Sequence, residues 1–202
     1  MPSLFKRFFA RLPMARSSRA YEFALEHMPL PEGAQVLEIG AGQGFGAAWL
    51  SRRLPQAQIY SVDVSMDCLK PERLEVGPHP PVFIQASATD LALASASMDA
   101  VFLVMTFHCL PQPQRVMQEV SRVLRPGGVL ILADVDGRHW MKGPFELVEH
   151  LFISKLTHAY TPDELASLVA QAGLDDFRVV RRPGKENGFM MWAFARKPVL
   201  RK

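Results

Sequence analysis

The sequence has few cysteines and lacks long apolar runs. None of its 202 residues fall in a stretch approaching the ~18 uninterrupted apolar residues of a membrane-spanning helix. We therefore expect no transmembrane segment. The two cysteines, Cys68 and Cys109, are far apart and lack metal-ligand spacing. We expect no metal site and a reducing, cytoplasmic setting.

Acidic residues are absent from the first 20 positions, which therefore carry a charge of +5. The whole chain carries only +3, so the remainder carries −2. The basic character thus belongs to a terminal arm, and we expect no stable nucleic-acid partner. We divide the chain into a basic helical arm, 1–30, and a single domain, 31–202.

The segment 4-LFKRFFARL-12 predicts an amphipathic helix, because Phe5, Phe8, Phe9 and Leu12 share one helical face. Such a basic helix could rest on an anionic membrane, peripheral to the cytoplasm. Alternatively, it docks on its own domain or frays. A second helix is predicted over about 17–28.

From residue 33 onward, apolar runs alternate with helical patterns, which predicts a parallel sheet covered on both faces. Two final strands around a turn-rich 183-PGKENG-188 predict an antiparallel hairpin. Pro126-Gly127-Gly128 predicts a turn between a helix and a strand. The predicted strands are 35–39, 58–63, 82–86, 99–105, 128–134, 177–182 and 189–196, and the helices between them are 44–54, 66–75, 112–124 and 161–172.

The stretch 36-VLEIGAGQGFG-46 places a glycine-rich loop directly after the first of these strands. A dinucleotide-binding loop would need glycine where Phe45 stands, and a P-loop would need a Lys-Ser/Thr pair that is missing. Glu38 disfavours a phosphate and favours a cationic group such as an α-ammonium. Asp63, at the end of the second strand, could accept both hydroxyls of a ribose or merely cap the next helix.

The pieces EIGAGQG, VDVS, SMDAVFLVMTFHCLP and RVLRPGG together resemble class I S-adenosylmethionine-dependent methyltransferases. The resemblance is strongest to the group that includes quinone- and lipid-methylating enzymes, and it covers about residues 33–197. It implies a Rossmann-like, doubly wound, seven-stranded and mostly parallel sheet with an antiparallel C-terminal hairpin strand.

The resemblance also implies S-adenosylmethionine as the cofactor and assigns residues to it. Ser87 stands where the family often has an Asp that binds the adenine amine, which puts that one contact in question. The implied cofactor-binding residues are Glu38, Gly40, Gly42 and Gly44 at the methionine end, Asp63 at the ribose, Val64 beside the adenine, the pair Ser87 and Ala88, and Met105 after the fourth strand.

Methyl transfer from a sulfonium needs alignment and a dry site, and a base only when the acceptor holds its proton. His108, just past the fourth strand, is the catalytic candidate; the alternative is a ring that merely lines the pocket. Cys109 has no paired base and is interpreted as an inert thiol.

The insert 134–160 follows the fifth strand on the ligand side. Arg138, His139 and Trp140 could recognise an anionic or aromatic acceptor, or the loop could pack its Trp on the core. Tyr21, from the second helix, is a further candidate to close over the ligands. Around Glu146 and His150 the pattern predicts a solvated helix face.

These observations predict methyl transfer from S-adenosylmethionine to a small-molecule or lipid-like acceptor. An RNA or protein methyltransferase is the first alternative, although no Asn-Pro-Pro-aromatic or Pro-Cys motif follows the fourth strand. A catalytically silent domain that binds adenosyl ligands is the second. An NAD-dependent oxidoreductase is the third, and Phe45 disfavours it.

Overall fold

The computed structural model describes residues 15–152, 154–181 and 189–199. The helix predicted over 4–12 lies outside these residues. Two single 3-10 turns, Pro71–Arg73 and Phe107–Cys109, interrupt the loops. The helices are α1 (Ala15–His27), α2 (Phe45–Arg53), α3 (Pro113–Val123), α4 (Lys142–Phe152) and α5 (Pro162–Gln171), and the strands are β1 (Gln35–Ile39), β2 (Gln58–Asp63), β3 (Val82–Gln85), β4 (Met98–Val104), β5 (Leu124–Val135), β6 (Asp175–Val180) and β7 (Met190–Arg196).

The strands form one seven-stranded sheet in the order β3-β2-β1-β4-β5-β7-β6. Strands β1 to β5 pair in parallel, whereas β7 runs antiparallel to both β5 and β6. The predicted fold class is therefore confirmed, including the reversed strand near the C-terminus. The central strands are apolar on both faces, as expected for a sheet covered by helices on each side.

Alternate residues of the central strands supply two separate cores. Leu37 and Leu103 join the core under α3 and α5, whereas Val36 and Phe102 join the core under α1 and α2. Helix α1 is anchored in the second core, where the Trp192 indole donates to the Ala20 carbonyl at 3.1 Å. The described part of the predicted arm thus packs on the sheet, and the domain boundary at residue 30 stays a prediction.

Two local predictions are wrong. Residues 66–75 form no α-helix but a loop with one 3-10 turn, because Pro71 blocks the helical hydrogen bond and most side chains there face solvent. Pro126-Gly127-Gly128 does not separate helix from strand, since β5 already begins at Leu124. Instead, the pairing register shifts opposite Met98 and Ala100, and Gly127 takes a φ of 82°.

Helix α5 begins with a capping box. Its contribution to stability can be measured by mutation. The Thr161 hydroxyl accepts from the Glu164 N–H at 3.3 Å, and the Glu164 carboxylate accepts from the Thr161 N–H at 2.7 Å. We expect Thr161→Ala to lower the free energy of unfolding by about 1 kcal/mol in urea denaturation, because the cap is lost. Thr161→Ser keeps the hydroxyl and should stay near the parent; equal losses in both variants would contradict the cap.

Candidate functional site

The carboxyl ends of four parallel strands meet at one edge of the sheet. Gly40 follows β1 there, Asp63 ends β2, Met105 follows β4, and Asp134 lies near the end of β5. In open α/β sheets, ligands bind outside this edge. The cofactor and acceptor candidates therefore share one location.

The glycine loop at this edge offers bare backbone to a ligand. Gly40 has a φ of 94°, and its N–H donates to the Val62 carbonyl at 2.7 Å. A Cβ on Gly40 would collide with the Thr106 side chain behind the loop. A Cβ on Gly42, at a φ of 50°, would meet nothing within 4 Å. The loop is thus packed behind Gly40 and open at Gly42.

The Glu38 carboxylate does not face the open side of this loop. It is buried among the side chains covered by α1 and α2, where it accepts from Tyr21 Oη, from Ser61 Oγ at 2.5 Å and from the Ala47 N–H. Gly46 makes room for this group, because a Cβ there would collide with both Glu38 and Tyr21. The carboxylate of Glu38 therefore joins β1, β2, α1 and the start of α2, and its contact with a cationic ligand stays a prediction.

Burial raises the pKa of Glu38 to about 7, although the hydrogen bonds from Ser61, Tyr21 and Ala47 lower it and Asp63 raises it. Burial and the neighbouring Glu38 also raise the pKa of the Tyr21 hydroxyl. Because the carboxyl's folded pKa exceeds its ordinary 4.5, folding takes up a proton between these values. The contribution of Glu38 to stability therefore declines as pH rises from about 4.5 through about 7.

Asp63 holds the glycine loop from the neighbouring strand. Its Oδ2 accepts from the Gly42 N–H at 2.9 Å, and its Oδ1 accepts from the Ser65 N–H at 3.2 Å. Val64 and Met105 beside it are 72% and 40% exposed, although both are apolar. Met105 also takes a φ of 51°, which is uncommon for a residue with a side chain. Residues with such backbone angles cluster at functional sites.

Ser87 and Ala88 follow β3 on the same side of the sheet. The Ser87 hydroxyl is 2.7 Å from the Thr89 hydroxyl and accepts from the Thr89 N–H at 3.2 Å. Ala88 is buried. Ser87 is thus engaged in a local turn, and its contact with an adenine stays a prediction.

His108 is buried between β5 and α4. Its Nδ1 lies 2.7 Å from Asp134 Oδ1, and its backbone N–H donates to Asp134 Oδ2 at 3.0 Å. Its Nε2 lies 3.8 Å from Glu149 Oε2, too far for a direct hydrogen bond. Asp134 thus holds the Nδ1–H tautomer, and Nε2 can accept a proton.

Burial and the charges around His108 shift the pKa values of two side chains. Burial alone would lower the pKa of His108, but attraction to Asp134, their hydrogen bond and the nearby Glu149 raise it overall. Burial, with Asp134 and Glu149, raises the pKa of Cys109 to about 12, so the thiol stays protonated at neutral pH. The Cys109 Sγ donates to the Thr106 carbonyl at 3.1 Å, which agrees with an inert thiol.

Helix α4 contradicts the solvated face predicted around Glu146 and His150. His150 is exposed, but Glu146 accepts from the Ala159 N–H at 2.8 Å. Glu149 is buried, and its Oε2 finds no hydrogen-bond partner within the described residues. Burial and Asp134 raise the pKa of Glu149, which His108 partly offsets.

The sequence reasoning missed Asp134 and Glu149 as partners of His108. An acid at the end of the apolar run 129-VLILADV-135 was a usable signal for Asp134. Glu149 left no such signal, because its burial depends on how α4 folds back over the sheet.

A row of aromatic rings leads from His108 to the protein surface. Consecutive ring centroids are 5.2 Å apart for His108 and Phe145, 6.0 Å for Phe145 and Phe189, 5.5 Å for Phe189 and His139, and 5.7 Å for His139 and Trp140. Trp140 is 76% exposed, so the alternative that it packs on the core is wrong. We call these five rings the aromatic row.

The three acceptor candidates of the insert are held differently. The Arg138 N–H donates to Asp136 Oδ1 at 3.0 Å, while its guanidinium is half exposed. His139 Nδ1 accepts from the Met141 N–H at 3.2 Å, and its Nε2 is buried without a partner in the described segments. Tyr21 lies apart from them, on Glu38 behind the glycine loop. Contact of any of the four with an acceptor stays a prediction.

Neither a metal cluster nor a membrane span is evident in the described ranges. Within residues 15–152, 154–181 and 189–199, no three or more His, Cys, Asp and Glu side chains are grouped to hold a metal. No helix in these ranges is long and apolar enough to cross a membrane.

Comparison with known proteins identifies the domain. Residues 37–132 match the family model described as a methyltransferase domain. The match runs from β1 to β5 and so includes the glycine loop, Asp63 and His108. By this match, residues 37–132 are a methyltransferase domain.

Two curated relatives and one solved structure are similar to this chain. The fatty-acid O-methyltransferase of Mycolicibacterium smegmatis is 35% identical over 108 residues, which are 54% of this chain and 39% of the relative. Methyltransferase GfsG of Streptomyces halstedii is 33% identical over 172 residues, 81% of this chain and 61% of the relative. A Thermotoga maritima protein described as a possible histamine N-methyltransferase shares the fold, with a TM-score of 0.69, 23% identity and coverage of 98% and 100% of the two chains.

The chain spans only part of the length of these curated relatives, between 39% and 61%. Their named activities thus belong to longer proteins.

The hydrogen bond from the Tyr21 hydroxyl to Glu38 should stabilise the glycine loop. We expect Tyr21→Phe to lower the free energy of unfolding by about 1–3 kcal/mol in urea, because a buried carboxylate loses a donor. We also expect weaker binding of S-adenosylhomocysteine in calorimetry, because the carboxylate lies under the loop. Tyr60→Phe is the matched control, since Tyr60 is a half-buried tyrosine of β2. Parent-like stability and affinity in Tyr21→Phe would contradict the role.

Asp134 should determine how His108 titrates. In the parent, attraction to the carboxylate raises the pKa of His108, so the proton-linked stabilisation is present below its ordinary value and is lost as pH rises through the raised one. We expect Asp134→Asn to lower the pKa of His108, measured by NMR of the imidazole Cε1–H. The exposed His79 serves as the internal reference. An unchanged His108 titration would show that Asp134 does not hold the ring.

Proposed function

We propose that this chain transfers a methyl group from S-adenosylmethionine to a lipid-like acceptor whose polar end reaches His108. The aromatic row is the observation that carries the acceptor class. It runs from a buried imidazole to the exposed Trp140, and apolar and aromatic walls are what bind acyl or aromatic chains.

The residues present fit the cofactor. The loop is open at Gly42, and Asp63 is fixed beside it by the Gly42 N–H, where ribose hydroxyls could be bound. Val64 and Met105 supply exposed apolar surface at the ends of β2 and β4 for the adenosyl group. Glu38 would act from behind by holding the loop. When bound, S-adenosylmethionine supplies an electrophilic methyl on a sulfonium.

In this proposal His108 moves the acceptor's proton. An acceptor hydroxyl beside His108 would donate its single proton to Nε2, which lies 3.8 Å from Glu149 Oε2 and makes no direct hydrogen bond with it. His108 Nε2 would accept the proton that the hydroxyl loses when its oxygen is methylated; the cofactor would supply the methyl group and a neutral thioether leaving group. Asp134 stabilises the imidazolium that forms, and Glu149 adds a second negative charge.

The names of the relatives support the same acceptor class. They include a fatty-acid O-methyltransferase and phthiotriol/phenolphthiotriol dimycocerosates methyltransferases of Mycobacterium tuberculosis. The latter are 38% identical over 51% of this chain. A carboxylate acceptor needs no base, whereas a hydroxyl acceptor needs one at neutral pH. His108 therefore favours the hydroxyl.

The cofactor is tested by isothermal titration with S-adenosylmethionine, S-adenosylhomocysteine and NAD. We expect micromolar binding of both adenosyl ligands and none of NAD, with binding lost in Asp63→Ala. Asp67→Ala removes an exposed acid four residues on and should bind like the parent. No adenosyl binding by the parent would overturn the proposal, and NAD binding would favour the oxidoreductase.

The base is tested with two acceptors of equal chain length, a long-chain alcohol and a long-chain fatty acid. We expect His108→Ala to slow methylation of the alcohol by about 10²–10⁴-fold and to leave the carboxylate nearly unaffected. His79→Ala, at an exposed histidine, is the control. Equal effects on both acceptors would reduce His108 to a pocket wall, and cofactor binding without turnover on any acceptor would favour a silent domain.

A further inference from the structure

Exposed apolar side chains concentrate on the insert that carries α4. Four of the nine large apolar residues exposed among the described positions lie between residues 140 and 156. We call these four the cap face: Trp140 at 76% exposure, Leu147 at 60%, Leu151 at 65% and Leu156 at 58%. Scattered apolar residues are ordinary on protein surfaces, whereas a concentration of them on one segment is a candidate interaction site.

Helix α4 exposes two leucines and buries an acid. Leu147 and Leu151, four residues apart, lie on its exposed side. Glu149 is buried against His108, and Glu146 turns towards the Ala159 N–H. A helix at an aqueous surface places charge outward and leucine inward. This arrangement therefore indicates an apolar environment on the outer side.

Basic side chains flank the cap face in sequence. Arg138 is half exposed and lies 3.6 Å from Asp136, whereas Lys142 is half-buried and lies 3.7 Å from Glu146. Lys155 precedes Leu156, is exposed and forms no ion pair with any described residue. The two acids of this segment are turned inward, as described above. Tryptophan and leucine bordered by Arg and Lys match an anionic lipid surface, in which aromatic rings sit at the headgroup level.

The cap face also lies where an acceptor would enter. Trp140 belongs both to the cap face and to the outer end of the aromatic row, whose inner end is His108. A surface that covers the cap face is therefore continuous with the path to the proposed base.

We propose that the cap face docks on an anionic lipid surface, so that a lipid acceptor passes from that surface along the aromatic row to His108. The docking rests on exposure and charge alone, whereas the passage of an acceptor rests on the proposed function. A second copy of the chain, a protein partner and the segment 4–12 are the other possible occupants. Segment 4–12 carries Lys6, Arg7 and Arg11, charges of the same sign as those beside the cap face.

The test measures co-sedimentation of the full chain with phosphatidylglycerol or phosphatidylcholine vesicles. We expect the parent to bind phosphatidylglycerol, and to bind less as ionic strength rises from about 0.1 to about 0.5 M. Leu147→Glu/Leu151→Glu should weaken this binding at least about tenfold, because charge replaces the inserted side chains. Val76→Glu/Val199→Glu adds the same charge at exposed valines elsewhere and should bind better than the cap-face variant. Equal binding by the two variants would overturn the proposal.

Trp140 reports the occupant directly. In buffer, acrylamide should quench the fluorescence of Trp140, and phosphatidylglycerol vesicles should reduce this quenching. The difference between the fluorescence of the parent and that of Trp140→Phe isolates the Trp140 signal from Trp49 and Trp192. Shielding of Trp140 before vesicles are added would mean that the arm or a second copy covers the cap face, and would overturn the proposal. Analytical ultracentrifugation of the parent and of Leu147→Glu/Leu151→Glu separates those two cases.

Further measurements separate docking from the proposed function. The cap-face variant should bind S-adenosylhomocysteine like the parent and methylate a detergent-dispersed acceptor. If the variant fails to fold, Lys155→Glu, an exposed charge reversal, should still weaken binding to phosphatidylglycerol severalfold relative to Lys70→Glu. Parent-like vesicle binding by Lys155→Glu would contradict the electrostatic part. Vesicle binding by a parent that binds no adenosyl ligand would retain docking and reject the methyltransferase proposal.

Discussion

The buried carboxylate of Glu38 is the contact on which the cofactor side of the structure depends. It accepts from Tyr21 of α1, Ser61 of β2 and the Ala47 N–H of α2. These donors offset part of the cost of burying an acid, and they join four elements beneath one loop. A buried carboxylate that loses a donor is destabilised more than an exposed one, because water cannot replace the lost hydrogen bond. The loop is therefore shaped from behind, and its outer side is left free for a ligand.

A second buried charge cluster joins the acceptor side. His108 follows β4, Asp134 lies near the end of β5, and Glu149 comes from α4. Two carboxylates around one imidazole favour its charged form, and burial opposes that charge. The same carboxylates suppress ionisation of Cys109, so one arrangement favours protonation at the imidazole and excludes a thiolate nucleophile. Helix α4 thus turns Glu149 towards this cluster, while Leu147 and Leu151 lie on its outer side.

Much of the fold was predictable because its signals are local. The predicted bounds of β1 and β2 agree with the structure to the residue, since each is a short apolar run between polar turns. The helix predicted over 66–75 was wrong because Pro71 and a lack of buried positions outweighed helical propensity. The same locality located the glycine loop and Asp63, which lie at strand ends that the pattern predicts. The helix face around Glu146 and His150 was predicted to be solvated, but Glu149 beside them is buried. The periodicity of an amphipathic helix does not say which of its residues pack on the sheet.

By itself, the sequence determined the order of the strands, the glycine loop, the acid at the end of β2 and the histidine after β4, because each depends on consecutive residues. Only the tertiary structure decided what those residues face. It turned Glu38 inward onto Tyr21, brought Glu149 to His108 across 41 positions of chain, and left Leu147 and Leu151 outside. The physical reason is that desolvation and hydrogen-bond pairing depend on neighbours in space, and these neighbours come from elements that are distant in sequence.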